Sequence, residues 1–482
     1  MILVDIFGTG KKGLLNEFGT AEERRAQAVE FRNNLNSISP SFCAAKWKQV
    51  TIHLHNGRTH SCHHPNTHQI PLKEIEKNPS ALHNTKFKIE QQQLMLAGKR
   101  PKECDYCWRV EDGDPTGSLF SDRIMKSIDF WARPHIDGII NNPTKLQDPS
   151  YLEVSFSSVC NFKCSYCGPE VSSKWMEEIK EFGHYPTSKQ YNGIEWLKDQ
   201  NRLPYLERDV NPYVEAFWKW WPDLYPNLQV LRVTGGEPLL TKHTFKLLEF
   251  ILENPRPDLE LAINSNLCVP EKIFLEFIDI LKRIQDSYSV KSIKVYTSCE
   301  AKGKKAEYIR HGLDYNQWLD NCHRIMRSVP RCRVSLMSAY NALSVTSFRD
   351  LLDDWLKFRL EYSTVEDRHP SGIDIPYLRY PTHQTIEILP DSYRSFVEDQ
   401  VKFMTDNEQI THIPERCGKG YYDYEINLMS RILSVFNNRT ISAVDQKDFA
   451  RFVNEHDRRR GTDFLKIFPE MEDFYNYCNE QL

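Results

Sequence analysis

The chain has 482 residues and a formal net charge of −4. This length is too great for one ordinary core and indicates two or three domains, one of which can be a large barrel. The acidic balance argues against a generally basic nucleic-acid-binding surface, although "KAEYIRHG" and "HDRRRG" are local basic patches. No apolar run is long enough to span a membrane, and the N-terminus lacks the pattern of a signal peptide, so we expect a cytoplasmic location.

The first two regions of the chain differ in composition. Residues 1–40 form a polar leader in which "TAEERRAQAVEFRNNL" predicts one helix. Residues 41–150 are rich in Cys, His and turn residues. The chain contains 13 cysteines, and they are grouped in short motifs. In a reducing compartment such grouping indicates metal or redox chemistry before it indicates disulfides.

The second region carries four cysteines that could form one metal site. They occur in "FCAAKWKQVTIHLHNGRTHSCHHP" and in "RPKECDYCW". The four residues are Cys43, Cys62, Cys104 and Cys107. Four thiolates that include one C-x2-C pair can close either a zinc site or an iron–sulfur cluster.

Several histidines crowd the same region. They are His53, His55, His60, His63, His64 and His68. The alternation in "TIHLHN" places His53 and His55 on one face of a strand. We interpret the group as polar loop and strand residues, because four cysteines already complete a site. Two alternatives stay open: one histidine is a ligand, or the group binds a metal transiently.

From Leu152 onward, short β-branched and aliphatic runs alternate with helical stretches such as "TFKLLEFILEN" and "EKIFLEFIDILKRI". The candidate strands are "LEVSFS", "LQVLRVT", "LELAINS", "SIKVYTS", "RVSLMSA" and "GIDIPYLRY". The alternation predicts parallel βα units in an open or partial barrel, with the active face at the carboxyl ends of the strands. We expect "EAFWKWWPDLYPNL" to be a helix packed on the barrel, and the chain after residue 380 to be mostly helical.

The segment "CNFKCSYC", directly after the first of these strands, contains Cys160, Cys164 and Cys167. A zinc site needs four ligands, and the nearest spare cysteine downstream, Cys268, is far away in sequence. An iron–sulfur cluster with three protein thiolates instead leaves one iron open. The fourth ligand can then be a substrate or a cofactor.

With Tyr166 before its last cysteine, this motif resembles the C-x3-C-x2-C signature of the radical S-adenosylmethionine (radical SAM) enzymes. The resemblance implies a 4Fe-4S cluster whose open iron binds the amino and carboxylate groups of SAM. It also implies reductive cleavage of SAM to a 5′-deoxyadenosyl radical, which abstracts a substrate hydrogen. An electron donor such as flavodoxin or ferredoxin would be a partner.

Three further strand ends match positions that hold SAM in this family. In "VTGGEPLL", Gly235 and Gly236 allow close backbone approach, and Glu237 offers an acceptor for a cationic amine. The segment resembles the GGEP motif, which implies binding of the SAM amino group.

The segment "INSNL" is similar to the family's third-strand segment, so Asn264 and Asn266 could reach the site. In "VYTSCEAKGKKAEYIRHG", the resemblance implies that Ser298 bonds the ribose and that Arg310 pairs with the SAM carboxylate. Cys299 departs from the family pattern and is expected to be a buried thiol.

The N-terminal cysteines resemble the SPASM/twitch class of auxiliary cluster domains, because "FCAAKW", the Asn56–Gly57 turn and "RPKECDYCW" occur in order. In most of the family that domain follows the barrel, whereas here it precedes it. The resemblance implies a second, auxiliary 4Fe-4S cluster. The expected fold is α/β, with an auxiliary domain at 41–150, a partial (β/α)6 radical SAM barrel at 151–380 and a helical region at 381–482.

The predicted function is that of a radical SAM oxidoreductase or maturase. The auxiliary cluster would assist oxidation or bond formation on a peptide or a small molecule. Two alternatives remain: a zinc-stabilised binding protein without catalysis, and radical SAM modification of a nucleobase, which the acidic balance disfavours.

Overall fold

The computed structural model describes residues 21–114, 119–188, 192–363, 371–409 and 419–482. The first twenty residues of the predicted leader lie outside this part of the chain. The helices are α1 Ala21–Ile38, α2 Ala45–Lys48, α3 Leu72–Lys77, α4 Lys86–Leu96, α5 Asp105–Asp112, α6 Asp122–Ile128, α7 Ile136–Asn141, α8 Ser173–Phe182, α9 Ile194–Asp199, α10 Pro212–Leu224, α11 Lys242–Glu253, α12 Glu271–Asp286, α13 Gly303–Ile309, α14 Tyr315–Ser328, α15 Phe348–Tyr362, α16 Arg394–Asp406, α17 Asp423–Asn437, α18 Ala443–Arg460, α19 Phe464–Ile467 and α20 Glu472–Glu480.

The strands form one large sheet and one short ribbon. They are β1 Gln49–His53, β2 Arg58–His60, β3 His68–Gln69, β4 Tyr151–Ser155, β5 Lys163–Cys164, β6 Val230–Thr234, β7 Arg256–Asn264, β8 Val290–Ser298, β9 Arg310–His311, β10 Cys332–Met337 and β11 Ile373–Asp374. The sheet order is β11-β10-β8-β7-β6-β4-β1-β2-β3, and β5 pairs with β9 in the ribbon.

The six predicted barrel strands are confirmed as β4, β6, β7, β8, β10 and β11, and each neighbouring pair is parallel. The last of them is shorter than expected, with only two residues. Helices α11, α12, α14 and α15 lie in the crossovers between these strands, as right-handed βα units require. The partial barrel with flanking helical regions is therefore confirmed.

Alternate residues along the barrel strands face opposite sides. Leu152 and Val154 of β4 are buried in the main hydrophobic core under the helices. Glu153 lies between them and is adjacent in the sheet to Arg232 of β6, with Nε and Oε2 3.6 Å apart. The barrel interior thus carries paired charges, while the outer face carries the apolar core.

The N-terminal region adds strands to the barrel sheet. β1 pairs in parallel with β4 over five residues, from Gln49 opposite Tyr151 to His53 opposite Ser155, and β2 and β3 follow as antiparallel strands. The tight turn between β1 and β2 contains Gly57 at φ +67°, as the Asn-Gly pair predicts. A second hydrophobic core, centred on Trp47, Trp108 and Trp131, packs beneath this region.

Two further expectations concern helices. The aromatic segment forms α10, whose Phe217 and Trp221 are fully buried in the main core, so the packing helix is confirmed. The region after residue 380 is helical from α16 to α20. No helix in the described part of the chain has the length and apolarity that a membrane span requires.

The basic patch "HDRRRG" is not a free cationic surface. Its last two arginines end α18 with their side chains at most 1% exposed. Arg459 pairs with Glu455, and Arg460 pairs with Glu178 and donates to the Lys163 carbonyl. These arginines attach the C-terminal helices to the barrel.

Candidate functional site: a cysteine loop at the barrel mouth

The three-cysteine loop follows β4 at the carboxyl edge of the sheet. Helix α8 holds its backbone: Cys160 N donates to Ser173 Oγ at 3.1 Å, and Trp175 Nε1 donates to the Cys164 carbonyl at 2.8 Å. Cys164 lies in β5, opposite Arg310 of β9. Helix α8 and the β5–β9 ribbon therefore both hold the backbone of the loop.

The three thiols lie within electrostatic reach of one another. Cys160 and Cys164 are buried, and Cys167 is half-buried. Burial, and then the Cys164 charge, raise the pKa of Cys160 to about 12. A hydrogen bond between Cys164 and Cys167 lowers the pKa of the first and raises that of the second. Three neighbouring thiols, two of them buried, are a donor set that suits a three-thiolate cluster with an open iron.

The GGEP turn after β6 packs directly on this loop. Gly236 N donates to Ser157 O at 3.2 Å, and Glu237 N donates to Val159 O at 2.7 Å. A Cβ on Gly236 would lie 2.5 Å from the Val159 carbonyl oxygen, and Gly235 has φ +145°. Both glycines are therefore required by close backbone approach.

Glu237 uses its carboxylate to hold the next strand end. It accepts hydrogen bonds from Ser265 Oγ at 2.8 Å, from Asn266 N at 2.7 Å and from Leu239 N at 3.1 Å. Burial outweighs these hydrogen bonds and raises the pKa of Glu237 to about 7. The carboxylate therefore joins the GGEP turn to the end of β7.

The other predicted SAM contacts occupy two different positions. Asn264 ends β7 and its Oδ1 accepts from Arg232 Nε at 2.9 Å, inside the barrel. Asn266 donates from Nδ2 to Asn161 Oδ1 at 2.9 Å, so it contacts the cysteine loop. Ser298 ends β8, is half-buried and lies next to Met337 of β10 in the sheet. Cys299 is fully buried, as expected, and its thiol faces Ala301 O.

Arg310 lies beside the cysteine loop, and its guanidinium is paired with the carboxylate of Glu300. Its Nε donates to Glu300 Oε2 at 2.7 Å and its Nη2 to Glu300 Oε1 at 2.6 Å. Its Nη1 lies 3.6 Å from Cys164 Sγ. The arginine expected to meet the SAM carboxylate is thus paired within the protein and contacts a cysteine of the motif.

The four N-terminal cysteines line one cavity. Burial raises the pKa of Cys43, Cys104 and Cys107, that of Cys104 to about 12. The same cavity is lined by Lys46, which is ion-paired with Glu103, and by Lys126. The four predicted residues are therefore brought together although 64 positions separate Cys43 from Cys107.

Cations beside this cavity compensate the charge that four thiolates would carry. The Cys62 and Asp122 charges outweigh burial and raise the pKa of Lys126, which keeps its ammonium charged. Its Nζ lies 3.4 Å from Asp122 Oδ2. Within the described ranges, no group of three or more His, Cys, Asp or Glu is placed so that it could hold a metal ion. The common cavity and the cations beside it are the observations that favour a cluster at this place.

The histidines near the N-terminal cysteines form an array. His53 stacks on His60 with ring centroids 5.5 Å apart, and His60 meets His63 edge-on at 6.5 Å. His55 Nδ1 lies 3.0 Å from Ser155 Oγ, and burial lowers the pKa of His53 to about 4 and of His55 to about 3. These imidazoles are neutral at pH 7. Of the others, His64 stacks on Tyr106, and His68 contacts Thr85.

Sequence reasoning missed two contributors to the site. Glu300 lies two residues after Ser298, and its side chain is fully buried against Arg310. Ser265 binds Glu237. Glu300 could have been found in the sequence, because it is an acidic residue at the end of a strand and lies ten positions before Arg310. The Ser265 contact depends on the arrangement of two loops and has no local signal.

No family model matches the chain. Part of it is similar to GTP 3′,8-cyclases, which are radical SAM enzymes. The relative from Aliarcobacter butzleri is 28% identical over 138 residues, which are 28% of this chain and 33% of the relative. The relative from Nautilia profundicola is 31% identical over 116 residues, 24% of this chain and 27% of the relative. The match thus spans a third or less of the length of these relatives.

Two solved structures are similar to this chain, but only at low sequence identity and low TM-score. A structure described as native anSMEcpe with bound AdoMet has 14% identity and a TM-score of 0.32, covering 57% of this chain and 63% of that one. Streptococcus suis SuiB bound to S-adenosylmethionine has 14% identity and a TM-score of 0.32, covering 74% and 69%. Scores this low support no conclusion about this chain. The local similarity to the cyclases and the cysteine signature both agree with the resemblance to radical SAM enzymes found in the sequence.

Proposed function

We propose that this chain is an enzyme that reductively cleaves S-adenosylmethionine and abstracts a hydrogen atom from a substrate. The observation that carries the proposal is the packing of the GGEP turn on the three-cysteine loop, where Glu237 N donates to Val159 O and Gly236 has no room for a side chain. A 4Fe-4S cluster bound by Cys160, Cys164 and Cys167 would supply the electron that cleaves SAM.

The residues of the chain prepare the place where SAM would bind. Gly235 and Gly236 let the turn approach the backbone of the cysteine loop closely, so that SAM bound at the turn would lie beside the cluster. Glu237 adds a carboxylate to the same turn when it is ionised. Asn264 and Ser298, at the ends of neighbouring strands, are proposed to contact the remaining parts of SAM.

The N-terminal region is proposed to hold an auxiliary cluster in a SPASM/twitch-like domain at 41–150. Cys43, Cys62, Cys104 and Cys107 would be its ligands, which their common cavity supports. Its role would be to assist oxidation or bond formation on a peptide or small molecule. A flavodoxin or ferredoxin is the proposed electron donor.

The experiment is a comparison of two cysteine variants purified without oxygen. Cys164→Ala should abolish formation of 5′-deoxyadenosine with dithionite and lower bound iron from roughly eight to roughly four atoms. Cys478→Ala is the matched control, because this cysteine is also buried but lies in α20. A wild-type protein that contains zinc without iron would reject the proposal in favour of the zinc-stabilised binding protein.

A further inference from the structure

The short ribbon formed by β5 and β9 places a cation beside one cysteine of the motif. Cys164 and Arg310 are direct partners in this ribbon. Arg310 is 7% exposed, and its Nη1 lies 3.6 Å from Cys164 Sγ. At this distance a guanidinium N–H can donate a charge-assisted hydrogen bond to a thiolate.

Glu300 fixes the direction of that guanidinium. Its two carboxylate oxygens accept from Nε and Nη2 of Arg310 at 2.7 and 2.6 Å, which is the bidentate fork geometry. The Glu300 side chain is 0% exposed, so the pair is shielded from water. Because Nε and Nη2 are held by the carboxylate, Nη1 is the nitrogen directed at the sulfur.

Tyr166 connects this ion pair to the second half of the motif. Its hydroxyl donates to Glu300 Oε1 at 2.8 Å and accepts from Arg310 Nη2. Tyr166 directly precedes Cys167 in the chain, and its ring lies 5.7 Å from the Arg310 guanidinium carbon. The cation, the carboxylate and the phenol thus form one hydrogen-bonded network beside Cys164.

We propose that Arg310 is a positioning residue that stabilises negative charge on Cys164, and does not serve as the partner of the SAM carboxylate. If the proposed function is correct, the network sets the reduction potential of the cluster that Cys164 would bind. Hydrogen bonds to cluster sulfurs and the nearby net charge are known determinants of that potential. The positive charge of the guanidinium would stabilise the reduced cluster and raise its potential, and the negative charge of the Glu300 carboxylate would lower that potential.

The test is a redox titration in which electron paramagnetic resonance measures the reduced cluster at each potential. The signal that changes when SAM is added identifies the cluster bound by the three-cysteine loop. Arg310→Gln should shift its midpoint to a more negative value, and Glu300→Gln should shift it to a more positive value. Arg324→Gln is the control, because Arg324 makes a similar bidentate pair with Glu271 between α14 and α12, where the pair is partly exposed, and the substitution should leave the midpoint unchanged.

The opposite directions of the two midpoint shifts distinguish this role from a structural one, because loss of local order would shift the midpoint of both variants in the same direction. Shifts in the same direction, or no shift in either variant, would overturn the inference. It would also fail if Arg310→Gln weakened SAM binding at an unchanged midpoint. If Arg310→Gln binds no cluster, a more positive midpoint in Glu300→Gln supports the inference, and an unchanged or more negative midpoint overturns it. A wild-type protein without a signal that depends on Cys164 would instead reject the proposed function.

Discussion

The buried carboxylate of Glu237 makes the stability of the protein depend on pH. Glu237 is 2% exposed, and burial raises its pKa from 4.5 to about 7 in spite of three hydrogen bonds. An acid whose pKa is raised by folding binds more protons in the folded state than in the unfolded state. Its contribution is therefore most favourable at low pH and is lost progressively as the pH rises from about 4.5 to about 7.

The magnitude follows from the two pKa values. Between pH 6 and pH 8 the unfolded group is ionised throughout, while the folded group titrates, so the free energy of unfolding should fall by about 1.3 kcal/mol. Glu237→Gln removes this titration, so the unfolding free energy of the variant should no longer change with pH through this group.

The assay is urea unfolding of the protein without SAM at both pH values, comparing wild type with Glu237→Gln. The difference in unfolding free energy between the two should be about 1.3 kcal/mol smaller at pH 8 than at pH 6. Glu276→Gln, an exposed substitution on α12, is the control and should follow wild type. Equal pH dependence in wild type and Glu237→Gln would refute the reasoning.

Three further predictions follow from the packing of the site and the core. Cys104→Ala or Cys107→Ala should leave uncoupled SAM cleavage measurable but stop product formation, and circular dichroism should show a folded protein; full product from a folded variant would exclude an essential auxiliary cluster. Gly236→Ala should reduce iron bound by the cysteine loop, because a Cβ there would lie 2.5 Å from Val159 O, and iron analysis beside the Cys164→Ala protein checks this. Glu425→Gln should destabilise the fold by about 3–5 kcal/mol, since it breaks the fully buried pair with Arg359, and thermal unfolding measures the loss.

The barrel and the cysteine loop could be predicted because their signals are local. Each strand is a short apolar run, and parallel strands bring their carboxyl ends to one edge. The loop after β4 and the turn after β6 must then be neighbours, and Glu237 N indeed donates to Val159 O. The grouping of the N-terminal cysteines was likewise predicted from composition and spacing, and one cavity contains all four.

The immediate environment of Arg310 could not be predicted in the same way. The arginine lies at the expected position, yet its partner depends on a two-residue ribbon between distant segments, which has no periodicity to detect. The ion pair of Arg460, in the basic patch, could not be predicted for a related reason, because charge in a sequence does not reveal that Glu178 lies 3.1 Å away. Pairings between remote polar side chains are decided by tertiary packing.

The position of the cysteine-rich region before the barrel has a physical consequence in the sheet. In a partial barrel, the first strand would present unpaired backbone N–H and C=O groups at an open edge. Here β1 covers that edge through five residue pairs with β4, and His53 is placed beside Ser155. A shift of one residue would turn every β1 side chain to the other face, so the buried Val50 and Ile52 specify the register. Because β1 lies between Cys43 and Cys62 in the chain, the same register also fixes the N-terminal cysteine cavity relative to the edge of the barrel.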